Sequence, residues 1–388
     1  MFVSIPRHVS HVNPKKKIRI GRLAPATALM VVACWQPTTI VRHPIASGPH
    51  VFGCAATACG DPVKVVSITY LGISGLLIEH GGHVLLTDPF FSNPVTTPGP
   101  GVLRWLLEGP RIAADSAVIE KLLPRSADHA STILVGHGHY DHLMDVPYIA
   151  THRAKTAVIF GGPSIRHMLK GDPGLRSNPV RLVAIPLDKA GTSGRDGEWL
   201  YSADSAFRFM ALIAGHAPTF MIGQWGYTFA EGRVSSDMDS LPRFAAEWRL
   251  GEPYAYLIDV LSDSSHTTLF RIYFEDAPSK PPLGFPSAAL VASRAVDLAV
   301  LCAATSSNVN AAPERLVRVL KPGAVMVTHW ESFFRSRLRP TALSHVTDLR
   351  QLSRALRRSL APRSGWVMPL PGQTLRFRTS ESYARRLP

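Results

Sequence analysis

The segment 136–147, GHGHYDHLMDVP, sets three histidines and an aspartate within six residues, directly behind the apolar run STILVG (131–136). Such a run ending in glycine reads as a buried strand that turns at its end, which leaves the polar cluster on the rim of a sheet. Residues two apart in an extended loop point the same way, so His137 and His139 can reach one ion. Asp141 and His142, at the turn into the next helix, face a second position close by. A lone histidine in such a loop would be ordinary, whereas this concentration of imidazole and carboxylate has no packing rationale. It suits zinc, with manganese and iron as competing ions. The chain must then fold so that further ligands arrive at the same rim.

Three residues occupy matching positions. His216 follows the apolar strand FRFMALIAG, Asp276 ends RIYFED (271–276), and His329 ends AVMVTH (324–329). Each is a ligand-capable group at the end of an apolar strand, where strands side by side in one sheet can converge.

The rest of the pattern is mixed. Strands are expected at 64–70, 76–79 and 83–87, the last running into Asp88-Pro89, at 131–136, 156–160, 181–186, 208–214, 226–229, 255–261 and 268–274, as a short strand flanked by the helices 288–300 and 313–319, and at 324–329 and within 365–377. Helices are expected near 115–122, 143–152, 163–170, 288–300, 313–319 and 345–358, the last rich in arginine. Segment 237–249 reads as a loop with a short helix. The helical reading of 288–300 places Cys302 in an apolar helical context, as core. No internal repeat and no mid-chain linker interrupt this alternation, so one domain is expected over 63–380, followed by a short tail, 381–388.

The HxHxDH cluster, followed in order by His216, Asp276 and His329, resembles the metallo-β-lactamase superfamily. The resemblance implies an α/β (α+β) chain folded as a four-layer αββα sandwich. It implies two divalent metal ions, the first held by His137, His139 and His216, the second by Asp141, His142 and His329, with Asp276 bridging both. Asp88, matching the family's early aspartate, would orient ligand histidines through hydrogen bonds. The residue pair Glu275-Asp276 departs from the family's usual glycine-aspartate, and Glu275 is expected to face away and form a salt bridge. Tyr140 and the stretches LLTDPFFS (85–92) and THWESFF (328–334) are similar to the branch containing N-acylphosphatidylethanolamine-hydrolysing phospholipase D and UlaG-like lactonases.

That resemblance implies hydrolysis with a metal-bound hydroxide as nucleophile, oriented by Asp141 as the catalytic carboxylate. A phosphodiester or phospholipid substrate fits, and so does a lactone or another carboxylic ester or amide. A redox di-iron protein and a non-hydrolytic metal-binding lipoprotein are the competing readings. Tyr140 and Trp330 are candidates to line the substrate pocket. The loops 90–111 and 217–253 are further candidates, the second with Phe220, Trp225, Tyr227, Phe229 and Trp248, and Tyr254 just beyond it.

Charge and the N-terminus bear on location. The net charge is +14, and the six bases of residues 1–33, with no acid among them, leave +8 on the rest. A basic body favours anionic surfaces. The scattered bases, without interleaved aromatics, argue against nucleic acid. The basic run 15–22 precedes the apolar stretch 23–33, too short to span a bilayer comfortably, in the layout of a secretory signal. Residues 31–34, VVAC, resemble the bacterial lipobox, which implies an exported, periplasmic-side lipoprotein acylated at Cys34 and so associated with a membrane, with 34–62 as a tether. Cys54 and Cys59 form a close pair that an oxidising compartment would allow to bond.

Overall fold

The apolar runs pair into two sheets in the computed structural model, which describes residues 39–48, 65–94, 109–262 and 266–379. The expected signal, Cys34, the Cys54 and Cys59 pair, the tail 381–388 and most of the loop 90–111 lie outside the described residues.

In chain order, β1 (Ile45–Ser47) comes first, within the segment expected as a tether. An antiparallel meander follows, made of β2 (Val65–Gly72), β3 (Gly75–His80) and β4 (His83–Thr87). After α1 (Ser116–Leu122) come β5 (Ala130–Leu134), β6 (Val158–Gly161) and β7 (Leu182–Ala184), added in parallel. The crossovers between these strands carry α2 (Tyr140–Leu143), α3 (Val146–Tyr148), α4 (Pro163–Leu169) and α5 (Pro173–Ser177).

The second sheet repeats this plan. Strand β8 (Leu200–Tyr201) lies at its edge, next to β9 (Phe207–Ile213). A separate hairpin, β10 (Phe220–Ile222) and β11 (Trp225–Tyr227), intervenes. Antiparallel β12 (Tyr254–Leu261) and β13 (Thr268–Phe274) lead to α6 (Ala288–Ser293) and β14 (Leu298–Cys302). Then come α7 (Glu314–Leu320), β15 (Ala324–Thr328), α8 (Leu349–Ser359) and β16 (Gly365–Met368), whose strands run parallel to β14. The last strand, β17 (Thr374–Arg378), crosses back to pair with β2 of the first sheet. The sheet orders are β1-β16-β15-β14-β13-β12-β9-β8 and β17-β2-β3-β4-β5-β6-β7.

Alternation along the strands decides the layers. Ile68, Tyr70, Ile78 and Leu85 of the first sheet pack with Phe209, Tyr256 and Ile258 of the second in one cluster. The intervening Leu77 and Leu86, with Ile133 and Ile159, face Ile119, Leu143, Ile165 and Met168 of the first sheet's helices. On the far side, Leu316 and Leu320 of α7 and Leu352 and Leu356 of α8 cover the second sheet. The result is the expected four-layer αββα sandwich. Both faces of β12 are covered, which is why all eight of its residues are buried and why its sequence shows no clean alternation.

Several boundaries differ from the sequence reading. The helix expected over 288–300 ends at Ser293, and Cys302 belongs to strand β14, buried as a core thiol. Apolar residues on both faces of a parallel strand had the look of a helix there. The helix expected near 143–152 is divided into α2, α3 and a wide turn, Ile149–Arg153, with Pro147 opening α3. The strand expected at 226–229 is half of the small hairpin rather than part of either large sheet. Helix α8 starts at Leu349, where the Asp348 side chain accepts from Gln351 N at 2.9 Å and so satisfies a free helix-end donor. Ile45–Ser47 pairs antiparallel with β16 as an edge strand.

Candidate metal centre

The carboxyl ends of β4, β5, β9, β13 and β15 open onto one rim, because β9 and β13 both run antiparallel to β12 while β14 and β15 follow β13 in parallel. Asp88 follows β4, His137, His139, Asp141 and His142 follow β5, and His216, Asp276 and His329 follow β9, β13 and β15. Open α/β sheets gather ligand-binding groups at such strand ends.

All seven expected metal ligands meet there. Three sets hold their ligand-capable atoms within 4.8 Å of one another: His137, His139 and His216; His137, His142 and Asp276; and Asp141, His142 and His329. The middle set shares a histidine with each of the other two and places Asp276 between them. His137 Nδ1 lies 2.6 Å from Asp276 Oδ2, and His137 Nε2 lies 3.0 Å from His139 Nδ1. His329 Nε2 lies 3.3 Å from Asp141 Oδ2. His216 Nδ1 faces the Ala217 carbonyl at 2.6 Å, which fixes that nitrogen as the donor and leaves Nε2 as the lone-pair face.

Asp88 is fully buried, one oxygen accepting from Gly136 N at 2.9 Å and the other 3.1 Å from His142 Nδ1. One carboxylate thus holds both the start of the ligand loop and the ring of a ligand, in the conformation that orients Nε2 inward. Gly136 has no room for a side chain, since a Cβ there would come 2.1 Å from Asp276 Oδ2.

Electrostatics and hydrogen bonding test whether cations fit. Burial lowers the pKa of His137 and His139, and burial together with His137 brings His216 down to about 3. These imidazoles are neutral, the ligating form. Burial also opposes the charge on His142, but Asp141, Asp88 and Asp276 outweigh it and raise its pKa to about 9. Burial raises Asp276, yet His137 and His142 prevail and bring it to about 2. Asp88 rises to about 7 through burial and the Asp276 charge. His139 Nε2 and His329 Nδ1 are buried without a hydrogen-bond partner among the described residues. An unsatisfied buried polar atom costs about 1–3 kcal/mol, and a donor set of imidazole and carboxylate around such atoms suits a divalent cation.

Sequence reasoning missed the frame behind His329. That residue has φ +52° and Ile73 has φ +56°, in the left-handed region that side chains seldom adopt. His329 N donates to Ile73 O at 2.6 Å and to Tyr70 Oη at 3.1 Å. Tyr70 Oη donates to Glu331 Oε2 at 2.5 Å, and Glu331 Oε1 accepts from Ile73 N at 2.6 Å. Arg337 pairs with Glu331 at 3.5 Å and donates to the Leu71 carbonyl. Asp145, likewise unforeseen, is buried and accepts from Phe91 N and Ser92 N at 2.7 and 2.9 Å, anchoring the loop after Asp88. Its nearness to the HxHxDH cluster was the available signal.

Two expectations are corrected. Trp330 is fully buried and its indole donates to the Pro369 carbonyl at 3.0 Å, so it belongs to the core. Glu275 makes no salt bridge among the described residues; it is buried, and burial and Asp276 raise its pKa to about 8. Tyr140 is 6% exposed and packs edge-on against Phe90. Of the expected aromatic contacts, Trp248 and Tyr254 belong to the interior, whereas Trp225 and Tyr227 are exposed.

No family model and no curated protein matches the chain. Among solved structures it is similar to a novel metallo hydrolase of the archaeon Ignicoccus hospitalis, with TM-score 0.45 and 14% identity over 81% of this chain and 100% of that one. A metallo-beta-lactamase fold protein of Bacillus subtilis gives TM-score 0.44 and 14% identity, over 81% of this chain and 99% of that one. CmlA, a diiron beta-hydroxylase of Streptomyces venezuelae, gives TM-score 0.40 and 16% identity, over 80% and 55%. Likenesses at this level assign no chemistry to this chain, which rests on its own side chains.

Proposed function

We propose that the protein is a metal-dependent hydrolase with two divalent ions, zinc by ligand type. The observation that carries this reading is the convergence of five histidines and two aspartates from four strand ends into three overlapping ligand sets. His137, His139 and His216 would hold one ion, Asp141, His142 and His329 the other, and Asp276 would serve both. Two such cations lower the pKa of bound water and stabilise charge that develops on the attacked group. Asp141, beside His329 and 3.8 Å from His142 Nε2, would orient the attacking water through its carboxylate. Asp88 keeps His142 turned to the site. Tyr140, a near neighbour with little exposure, is a candidate contact for the substrate.

A phosphodiester, specifically a phospholipid, is the proposed substrate class, supported by the resemblance of the HGHYDH, LLTDPFFS and THWESFF stretches and by the basic body. The test is a hydrolysis panel of phosphodiesters, N-acylated phospholipid, lactones and β-lactams on metal-quantified protein, with a His137→Ala plus His139→Ala control. Phosphodiester turnover absent from the control supports the reading. Turnover of lactones alone moves the substrate class, and no turnover with two ions bound counts against hydrolysis.

Export and anchoring through an acylated Cys34 are proposed on the basic-then-apolar N-terminus and VVAC. Mass spectrometry of the protein from membranes should find an acylated N-terminal cysteine, lost in Cys34→Ala; an intact Met1 in the mature protein would exclude it. Among the described residues no helix is long and apolar enough to cross a membrane.

A further inference from the structure

The hairpin β10–β11 stands apart from both sheets and presents apolar side chains outward. Ile222 pairs with Trp225 and Phe220 with Tyr227, so these four share one face, given the two-residue period of a strand. Trp225 is 75% exposed, Ile222 51%, Tyr227 42% and Met221 39%. Folding leaves clusters of this kind uncovered where another surface is to cover them. Its base is fixed: Thr219 Oγ1 accepts from Phe229 N at 3.0 Å, and Asn308 Nδ2 donates to Pro218 O at 2.8 Å. Only Ala217, Pro218 and Thr219 separate it from the ligand His216.

Beside the hairpin lies an open groove of about 1000 Å³, lined by Phe220 and Met221 on one side and by Arg350 and Arg357 of α8 on the other. Helix α8 carries Arg350, Arg354, Arg357 and Arg358, all exposed, and no acid. The acid lining the groove, Asp348, caps α8. Thr39 also lines the groove.

We infer that this face docks on an anionic lipid surface, with Trp225 and Ile222 entering the headgroup region and the α8 arginines above it. Aromatic and aliphatic tips flanked by arginine match such a surface in both polarity and charge. A second copy of the chain fits less well, since it would bring two arginine-rich helices together. Docking of this face needs neither an acyl chain on Cys34 nor hydrolysis.

The test uses the full chain carrying Cys34→Ala, co-sedimented with vesicles of phosphatidylcholine alone or mixed with phosphatidylglycerol. Binding should favour the mixed vesicles by roughly tenfold or more and weaken with salt. Ile222→Ser with Trp225→Ser should lower it by about tenfold with the unfolding temperature unchanged. Arg350→Gln with Arg357→Gln should reduce the preference for anionic lipid. His137→Ala with His139→Ala should bind vesicles like the parent, which separates docking from the hydrolytic reading. The inference is overturned if the hairpin variant binds like the parent, if both compositions bind alike, or if the metal-ligand variant loses binding. It is equally overturned if the hairpin proves to hold a concentration-dependent dimer that its serine variant dissolves.

Discussion

His142 carries a proton in the metal-free protein, because Asp141, Asp88 and Asp276 overcome its burial and hold its pKa at about 9. A histidine raised in the fold contributes stability that is fully present below its unfolded value of about 6.5 and is lost as pH rises through about 9. A cation arriving at neutral pH must displace that proton. Zinc binding at pH 7.5 should therefore release protons, measurable by calorimetry in two buffers of different ionisation enthalpy; an enthalpy independent of buffer would contradict the arrangement. The frame behind His329 gives a second expectation. Glu331→Gln weakens the buried bonds to Tyr70 and Ile73 and should cost about 1–3 kcal/mol of stability in urea unfolding. It should also lower metal content; an unchanged content would show that Ile73 O alone suffices. The candidate ligands were legible because imidazoles and carboxylates at strand ends serve no packing purpose. Glu331 and Tyr70 were not, because Tyr70 reads as one more aromatic in a strand, and the two meet across 261 positions.

At the scale of elements, the strands that carry ligands are short and apolar, and each ends where its ligand begins. Gly136 shows how little slack remains between β5 and the ligand loop. Gly136→Ala sets a methyl against the Asp276 carboxylate and should remove at least one metal equivalent per chain, as read by atomic emission, with a lower unfolding temperature. Full metal content in that variant would mean that Asp276 can shift without leaving the site. Strand periodicity in β2, β3 and β9 was readable because alternate residues face different layers. It misplaced the start of β14, whose five residues are all buried, and failed at the α2–α3 region, where Pro147 divides what composition joins. The β1 strand escaped notice because three edge residues, flanked by proline and glycine, carry too little pattern.

For the molecule as a whole, the candidate ligands come from four strand ends of two sheets. A ligand that binds only the folded state stabilises it by about 2.7 kcal/mol at a hundredfold excess over its Kd. Adding zinc to chelator-treated protein should accordingly raise the unfolding temperature, with no shift in the His137→Ala plus His139→Ala variant; an equal shift in both would place the bound zinc elsewhere. The alternation of strands and helices pointed to one mixed domain, whereas the four-layer order was implied only by the resemblance that the HxHxDH cluster carries. The crossing of β17 could not be anticipated, since a five-residue strand says nothing about which sheet it joins. That crossing has a consequence for synthesis. The outer flank of β2 acquires its partner from residues made about 300 positions later, roughly 15–60 s at ordinary ribosomal speeds. Throughout that interval the first sheet offers a row of unpaired amides and carbonyls to any neighbouring chain, and a transcript cut before Thr374 leaves that row open for good.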